Sequence, residues 1–415
     1  MPTFTLDIYQ TAGIAMLLFV LGRFLTERVE FLRKCCIPAP VVGGLIFALV
    51  HLGLYMSGVL ALSFDENIKN FFMTLFFTSV GYTACFRLLK KGGKKVFTFL
   101  FAAILMVILQ DLVSSLLSAA LGWDPRLGLC TGSIPMVGGH GTAGSYGDTM
   151  VKDLGLQGAE VLAMAAATFG LVAGSLMGGP TARSLISKYG LRSNETTESV
   201  IEAADETPEE KERAERMDYT AFTNAAILLI VASGLGTLLT MAFNSVQITI
   251  AGTVIKFTFP TYIGSMVIAA VIRNFCDVKR IILPAKAIDT WGNVSLSIFL
   301  AIALMSLKLW ELAELATDMV ILLAAQVILM FLFARFVVFR LMGRDYEAAV
   351  MTSAFCGFGM GATPNAMANM QAITKNYGPA PQAFFIVPLV GSLFIDFCNG
   401  IIITVFLNVL PLIFG

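Results

Sequence analysis

Ten stretches of this chain are each apolar over about the twenty residues a helix needs to cross a bilayer. They fall at roughly 8–26, 39–57, 68–88, 96–121, 158–181, 221–243, 259–273, 287–307, 313–334 and 381–411. The run at 259–273 is short, and the last is long enough to be kinked or broken. Only 13% of the 415 residues are charged and 57% are hydrophobic, where a soluble domain carries about 25% charged residues. The class is therefore an all-α polytopic membrane protein. The net charge is zero, which gives nucleic acid no footing. The seven cysteines are scattered and read as free, small apolar side chains. No signal peptide is expected at the N-terminus: Asp7 lies in the first apolar run, and Arg23, Arg28, Arg33 and Lys34 come after it. That order is expected of a first span that enters with its N-terminus outside.

Two further apolar stretches, about 127–148 and 348–372, are interrupted by glycine and proline. The first contains IPMVGGHGTAGSYG (134–147), with five glycines and one proline. Cytoplasmic loops of membrane proteins collect Lys and Arg, and this decides whether the interrupted stretches cross. If neither crosses, 23 of the 28 Lys and Arg lie on the cytoplasmic side. Only Lys69, Arg126, Lys152, Lys256 and Lys308 then lie outside. If both cross, Arg183, Lys188, Arg192, Arg273, Lys279, Arg280 and Lys286 move outside and the asymmetry collapses. Each stretch is therefore expected to enter and leave on one face, as a re-entrant hairpin. The same pattern puts both termini outside and segment 182–220 in the cytoplasm. That segment holds ten acidic residues between Glu195 and Asp218, and PEEKERAERM (208–217) reads as a short solvated helix in a soluble connector.

An internal repeat follows from a single offset of 220 residues. Pro40 falls on Pro260, Gly44 on Gly264, Gly139 on Gly359, Gly141 on Gly361, Met150 on Met370 and Gly158 on Gly378. Each half then has five spans and one hairpin. The expected organisation is an N-terminal repeat over 1–181, a charged linker over 182–220 and a C-terminal repeat over 221–415. Five is odd, so the second repeat is inverted and its hairpin enters from the cytoplasm. Inverted repeats with discontinuous helices are the make-up of a secondary transporter, with its substrate site near the midplane.

The hairpin tips carry the candidate chemistry. The first reads Gly138-Gly139-His140-Gly141-Thr142. The second runs from Gly357 through Gly359, Gly361, Ala362 and Thr363 to Asn365. Backbone N–H groups at the start of a half-helix favour an anion, and the carbonyl ends of preceding half-helices favour a cation. Ser133, Thr142, Ser145, Thr363, Asn365 and Asn369 add neutral oxygen ligands. This mixture suits a small carboxylate moving with Na⁺. Glycine-rich bends also let helices pack closely.

Ionisable residues inside spans are costly and point to function. His140 is either a site residue or a hydrogen-bonded core histidine. The only other histidine is His51, and no metal-ligand spacing is present. Asp396, with Asn399, suits Na⁺ or a substrate ammonium. Asn293 and Ser297 share a helical face that either lines the site or packs. Glu160, at the start of the fifth span, is either a site residue or an interfacial charge, and Asp111, mid-span, is explained equally by a site role or by a hydrogen bond to a neighbouring helix. No nucleophile–base pair is identifiable by spacing, which argues against an intramembrane enzyme; two hairpins from opposite faces and sparse intramembrane charge argue against a channel.

At GSIPMVGGHGTAG (132–144), ATFGLVAGSLMGGPTAR (167–183), GNVSLSIFLAIALMSLKLWEL (292–312) and CGFGMGATPNAMANMQAITKNYGP (356–379) the chain resembles the bacterial sodium/glutamate symporters. The likeness runs from about residue 20 to the C-terminus. It implies Na⁺-coupled uptake of L-glutamate across the bacterial inner membrane, without a cofactor. It also implies a homodimer in which a mobile part carrying both hairpins moves elevator-fashion against a scaffold. A citrate-like hydroxycarboxylate or another amino acid is the alternative cargo. No Arg lies between Arg344 and the C-terminus, which favours an amino acid held mainly by backbone donors.

Overall fold

The computed structural model describes residues 2–35, 37–85, 93–193, 217–245, 247–250, 253–256, 259–312 and 316–414. The helix expected over 208–217 falls outside these residues except for Met217. The described chain is built of helices, with two short two-stranded β pairs in its connections. Strands β1 (Thr3–Thr5) and β2 (Ala61–Ser63) pair in parallel, and β3 (Gln247–Ile250) pairs antiparallel with β4 (Thr253–Lys256). The all-helical expectation missed both, because they are too short to carry a hydropathy signal.

The first half contains α1 (Ile8–Arg28), α2 (Ala39–Met56), α3 (Glu66–Thr83) and α4 (Gly93–Ala120). A broken pair follows: α5 (Pro125–Gly128), a 3₁₀ turn (Leu129–Thr131), α6 (Ser133–Met136) and α7 (Gly139–Lys152). Helix α8 (Ala159–Tyr189) closes the half. The second half has α9 (Tyr219–Ser245), α10 (Tyr262–Lys279), α11 (Ala285–Met305) and α12 (Ala316–Phe333, prolonged through a π turn to Leu341). Its broken pair is α13 (Tyr346–Phe358) and α14 (Thr363–Tyr377), followed by α15 (Pro381–Leu393) and α16 (Ile395–Phe414).

Eight of these helices are long and apolar enough to cross a membrane. The other two expected spans are α3 and α10, helices of 18 residues each. Both carry charges, Glu66 and Lys69 on α3 and Arg273, Asp277 and Lys279 on α10, which lower their mean hydropathy. The last apolar run is broken at Phe394, between α15 and α16.

Local chemistry explains several boundaries. The Asp7 carboxylate accepts from Gln10 N at 2.8 Å and starts α1, and Asp65 does the same for α3. Asp345 caps α13 through Ala348 N at 2.7 Å. These caps satisfy N–H groups that a helix start leaves orphaned. Gly158 (φ +78°) and Gly190 (φ +61°) bound α8 in the left-handed region.

The helices pack as two bundles. In one, α1 packs on α2 and α11, α3 on α10 and α11, and α9 on α10. In the other, α4, the two broken pairs, α8, α12, α15 and α16 pack on one another. The bundles meet mainly where α7 faces α11 and where α15 and α16 approach α3. Small residues allow the close crossings: a β-carbon at Gly22 would run into Ala39 O and one at Gly43 into Leu18 O. Each bundle draws helices from both halves: α1, α2 and α3 stand with α9, α10 and α11, and α4 and α8 with α12, α15 and α16.

Candidate functional site

The two broken pairs converge in the second bundle, and their tips touch. Gly139 has φ +60°, and a β-carbon on it would sit 3.2 Å from the carbonyl oxygen of Gly361. Backbone at a helix break must be satisfied from elsewhere. The neighbouring helices supply the partners.

At the first break, Asp111 of α4 accepts from Ser133 N at 2.7 Å and from Ser133 Oγ at 2.9 Å. The carboxylate thus caps α6 from another helix. Asn399 of α16 donates its Nδ2 to Ser133 O at 3.2 Å. A β-carbon at Gly132 would lie 2.7 Å from Asp111 Oδ1, so only glycine lets the carboxylate this close. Tyr146 of α7 donates to Gly400 O at 2.6 Å and lies 2.9 Å from Thr404 Oγ1, tying the same hairpin to α16.

At the second break, Gln110 of α4 donates its Nε2 to Gly359 O at 2.8 Å. Gln326 of α12 donates to the backbone oxygen of Gln110 at 3.0 Å. Asn365 donates to Leu171 O at 2.8 Å and Ser175 Oγ at 3.0 Å; Asn369 donates to Gly174 O at 3.0 Å and Ser353 O at 3.2 Å. Helix α8 can lie against this hairpin because Gly170, Gly174 and Gly178 recur every four residues. A β-carbon at Gly174 would come within 2.9 Å of Cys356 O, and one at Gly170 would collide with Met360 O. Thr363 Oγ1 donates to Gly391 O at 3.1 Å.

The donors of these amides are used while acceptors are left over. Gln110 Oε1, Gln326 Oε1, Asn365 Oδ1 and Asn399 Oδ1 are buried with no hydrogen-bond partner among the described residues. Buried polar atoms of this kind call for a partner, and neutral oxygens suit a hard cation. Asp396, half-buried at the start of α16, makes no hydrogen bond or ion pair with the described residues. Spare amide oxygens thus belong to residues bonded at both breaks, and Asp396 lies three residues before Asn399 on α16.

Most of the residues expected from sequence belong to the two broken pairs and to α16. Ser133, Gly138, Gly139, His140, Gly141, Thr142 and Ser145 belong to the first hairpin. Gly359, Gly361, Ala362, Thr363, Asn365 and Asn369 belong to the second, and Asp396 and Asn399 lie on α16. His140 is buried with Nε2 2.9 Å from Thr168 Oγ1, so its ring is engaged by α8. Ser145 Oγ turns back onto Thr142 O at 3.1 Å. Gly141 faces the other bundle, its β-carbon position 3.0 Å from the Phe76 ring. Asn293 and Ser297 flank Leu296, whose Cδ1 lies 3.7 Å from the β-carbon position of Gly141. Both sit on α11 of the first bundle, where Asn293 is exposed and donates to Asp289 at 3.2 Å, and Ser297 bonds Asn293 O at 2.9 Å.

Sequence reasoning missed two features. Gln110 carries no sequence signal of its own beyond forming, with Asp111, the polar pair inside the α4 run. Lys69 read as an outer-face charge, but it is only 3% exposed. From α3 it reaches Asp148 of α7 at 2.8 Å and Glu160 of α8 at 3.4 Å. Lys152, 3.0 Å from Asp148, also pairs with Glu66. The network joins the bundles at one end, beside a cavity of about 520 Å³ that also contacts His51 and Trp310.

A polytopic helical protein in which two broken-helix pairs bring their tips together among buried polar side chains has the make-up of a secondary transporter. The model of the sodium/glutamate symporter family matches residues 4–379. The chain is 41% identical to the sodium/glutamate symporter of Haemophilus influenzae over 404 residues, 97% of this chain and 98% of that one. It is 39% identical to that of Escherichia coli over 413 residues, 99% and 100% of the two chains. The chain belongs to the sodium/glutamate symporter family. Among solved structures, a sodium proton antiporter of Methanocaldococcus jannaschii aligns over 98% of this chain and 99% of that one, with a TM-score of 0.43 and 15% identity.

Proposed function

We propose that this protein carries L-glutamate into the cell together with Na⁺, by alternating access across a bacterial inner membrane. The observation that carries the reading is the contact between the hairpin breaks, Gly139 against Gly361 O. It sets the backbone of two helix breaks side by side, which supports a shared polar centre there. Family membership names the cargo pair, since the relatives are named for sodium and glutamate. The protein acts as a carrier and not an enzyme, with Na⁺ as coupling ion and no further cofactor.

In this reading the two halves are inverted repeats of five spans, and α5–α7 and α13–α14 are re-entrant hairpins. Both termini lie outside and the linker is cytoplasmic, as the Lys and Arg distribution supports. The first bundle is the scaffold of a homodimer, and the second moves against it as the elevator. Glutamate lies between the tips, its carboxylates facing the N–H groups that open α7 and α14. Na⁺ takes oxygens from among Asp396, Asn399, Ser145 and Asn369. Both cargoes close the tips, and the mobile bundle crosses when empty or fully loaded. Each net positive charge carried inward is worth about 2.3 kcal/mol per 100 mV, which drives accumulation.

Counterflow in proteoliposomes tests the reading, with glutamate, aspartate and citrate offered in Na⁺ or K⁺. Na⁺-dependent exchange of glutamate is expected. Equal exchange in K⁺, or preference for citrate, would overturn the assignment of ion or cargo.

A further inference from the structure

Gln110 and Asp111 follow one another on α4, yet each serves a different hairpin. Asp111 takes both donors of Ser133 in the first, at 2.7 and 2.9 Å. Gln110 holds Gly359 O of the second at 2.8 Å. The backbone between them is itself held, since Gln326 of α12 donates to Gln110 O at 3.0 Å. Gln110, Asp111, Ser133 and Gln326 are each 0% exposed. A buried polar group that loses its partner keeps the full cost of its desolvation. The two hairpins therefore cannot shift independently while both bonds persist: a displacement at Ser133 reaches Gly359 through one peptide unit.

We propose that Gln110 and Asp111 are positioning residues that hold the two hairpin breaks in a common register, so that an ion or substrate bound at one break is felt at the other. The proposal rests on the symport reading above. It is distinct from a merely structural role, in which the two bonds stabilise the bundle separately and do not link the cargoes.

The distinguishing quantity is the factor by which glutamate tightens Na⁺ binding, which by linkage equals the factor by which Na⁺ tightens glutamate binding. It is measured by calorimetry on the purified carrier, alongside KM and Vmax in proteoliposomes. Gln110→Met removes the donor to Gly359 at nearly constant volume, and Ser133→Ala removes one donor to Asp111. Each is expected to cut the linkage factor about fivefold or more and to raise KM for glutamate. Combining them should cost less than the product of the two, since both interrupt one connection. Asp111→Asn, which keeps an oxygen facing Ser133, should retain most of the linkage, and Asp111→Leu should lose it. An unchanged linkage factor with only Vmax or yield reduced would overturn the proposal. If Gln110→Met does not fold, Ser133→Ala against Asp111→Asn decides by the same measurement. A wild-type protein with no Na⁺–glutamate linkage would instead refute the symport reading.

Discussion

Gly139 and Gly361, 222 positions apart in the chain, meet where two broken helices end: a β-carbon on Gly139 would stand 3.2 Å from the carbonyl oxygen of Gly361. Both positions are tight for a side chain. Gly139 also holds φ +60°, which costs an L-residue roughly 1–2 kcal/mol. At Gly361 a β-carbon would sit 2.9 Å from Asn365 Nδ2 and 3.0 Å from Gly357 O. Gly361→Val is expected to abolish uptake while folded protein remains in the membrane, as judged by a monodisperse elution profile. Loss of the protein itself would show that the glycine serves packing alone.

Asp396 is the one candidate Na⁺ ligand with a charge, and among the described residues it has no partner. Asp396→Asn keeps its shape and removes the charge. The Na⁺ concentration for half-maximal uptake should rise about tenfold, the equivalent of 1.4 kcal/mol. An unchanged Na⁺ response would remove Asp396 from the ion site.

Lys69 links the bundles through Asp148 and Glu160. Lys69→Met leaves Glu160 without its nearest cation, while Lys152 still neutralises Asp148. Destabilisation of about 3 kcal/mol is expected, the low end for breaking a buried pair, read as a lower melting temperature in detergent. Adding Glu160→Gln should restore most of it. Equal melting of Lys69→Met and wild type would mean that the network carries no net stability.

Asn369 fastens the second hairpin to α8. In Asn369→Ala, Gly174 O and Ser353 O lose their donor, at a cost of about 1–3 kcal/mol. Amide exchange should accelerate across α14 and stay unchanged in α1 and α2. Uniform acceleration would indicate global loosening instead.

The spans were legible because each buries a long apolar run, and the breaks because glycine and proline interrupt such runs at matching places. The partners of the breaks were not legible. Asp111 was visible as a mid-span carboxylate, but nothing local says that it reaches Ser133, 22 residues on and across a turn of chain. Lys69 reads as an outer-face charge because hydropathy cannot tell a loop lysine from one paired inside a bundle. Asn293 and Ser297 do share a face, as their spacing implies. That face belongs to the first bundle, and periodicity alone does not say which neighbour a face meets.

The proposed inversion of the two halves is tested most directly by where the two broken pairs open. Asp153, just after α7, and Lys375, near the end of α14, are both exposed. A cysteine at each position, in a background without native cysteines, can be labelled with a membrane-impermeant maleimide in right-side-out vesicles. Asp153→Cys should react from outside and Lys375→Cys only after the vesicles are opened. Labelling of both from the same side would contradict the inversion, and with it a shared site between the tips.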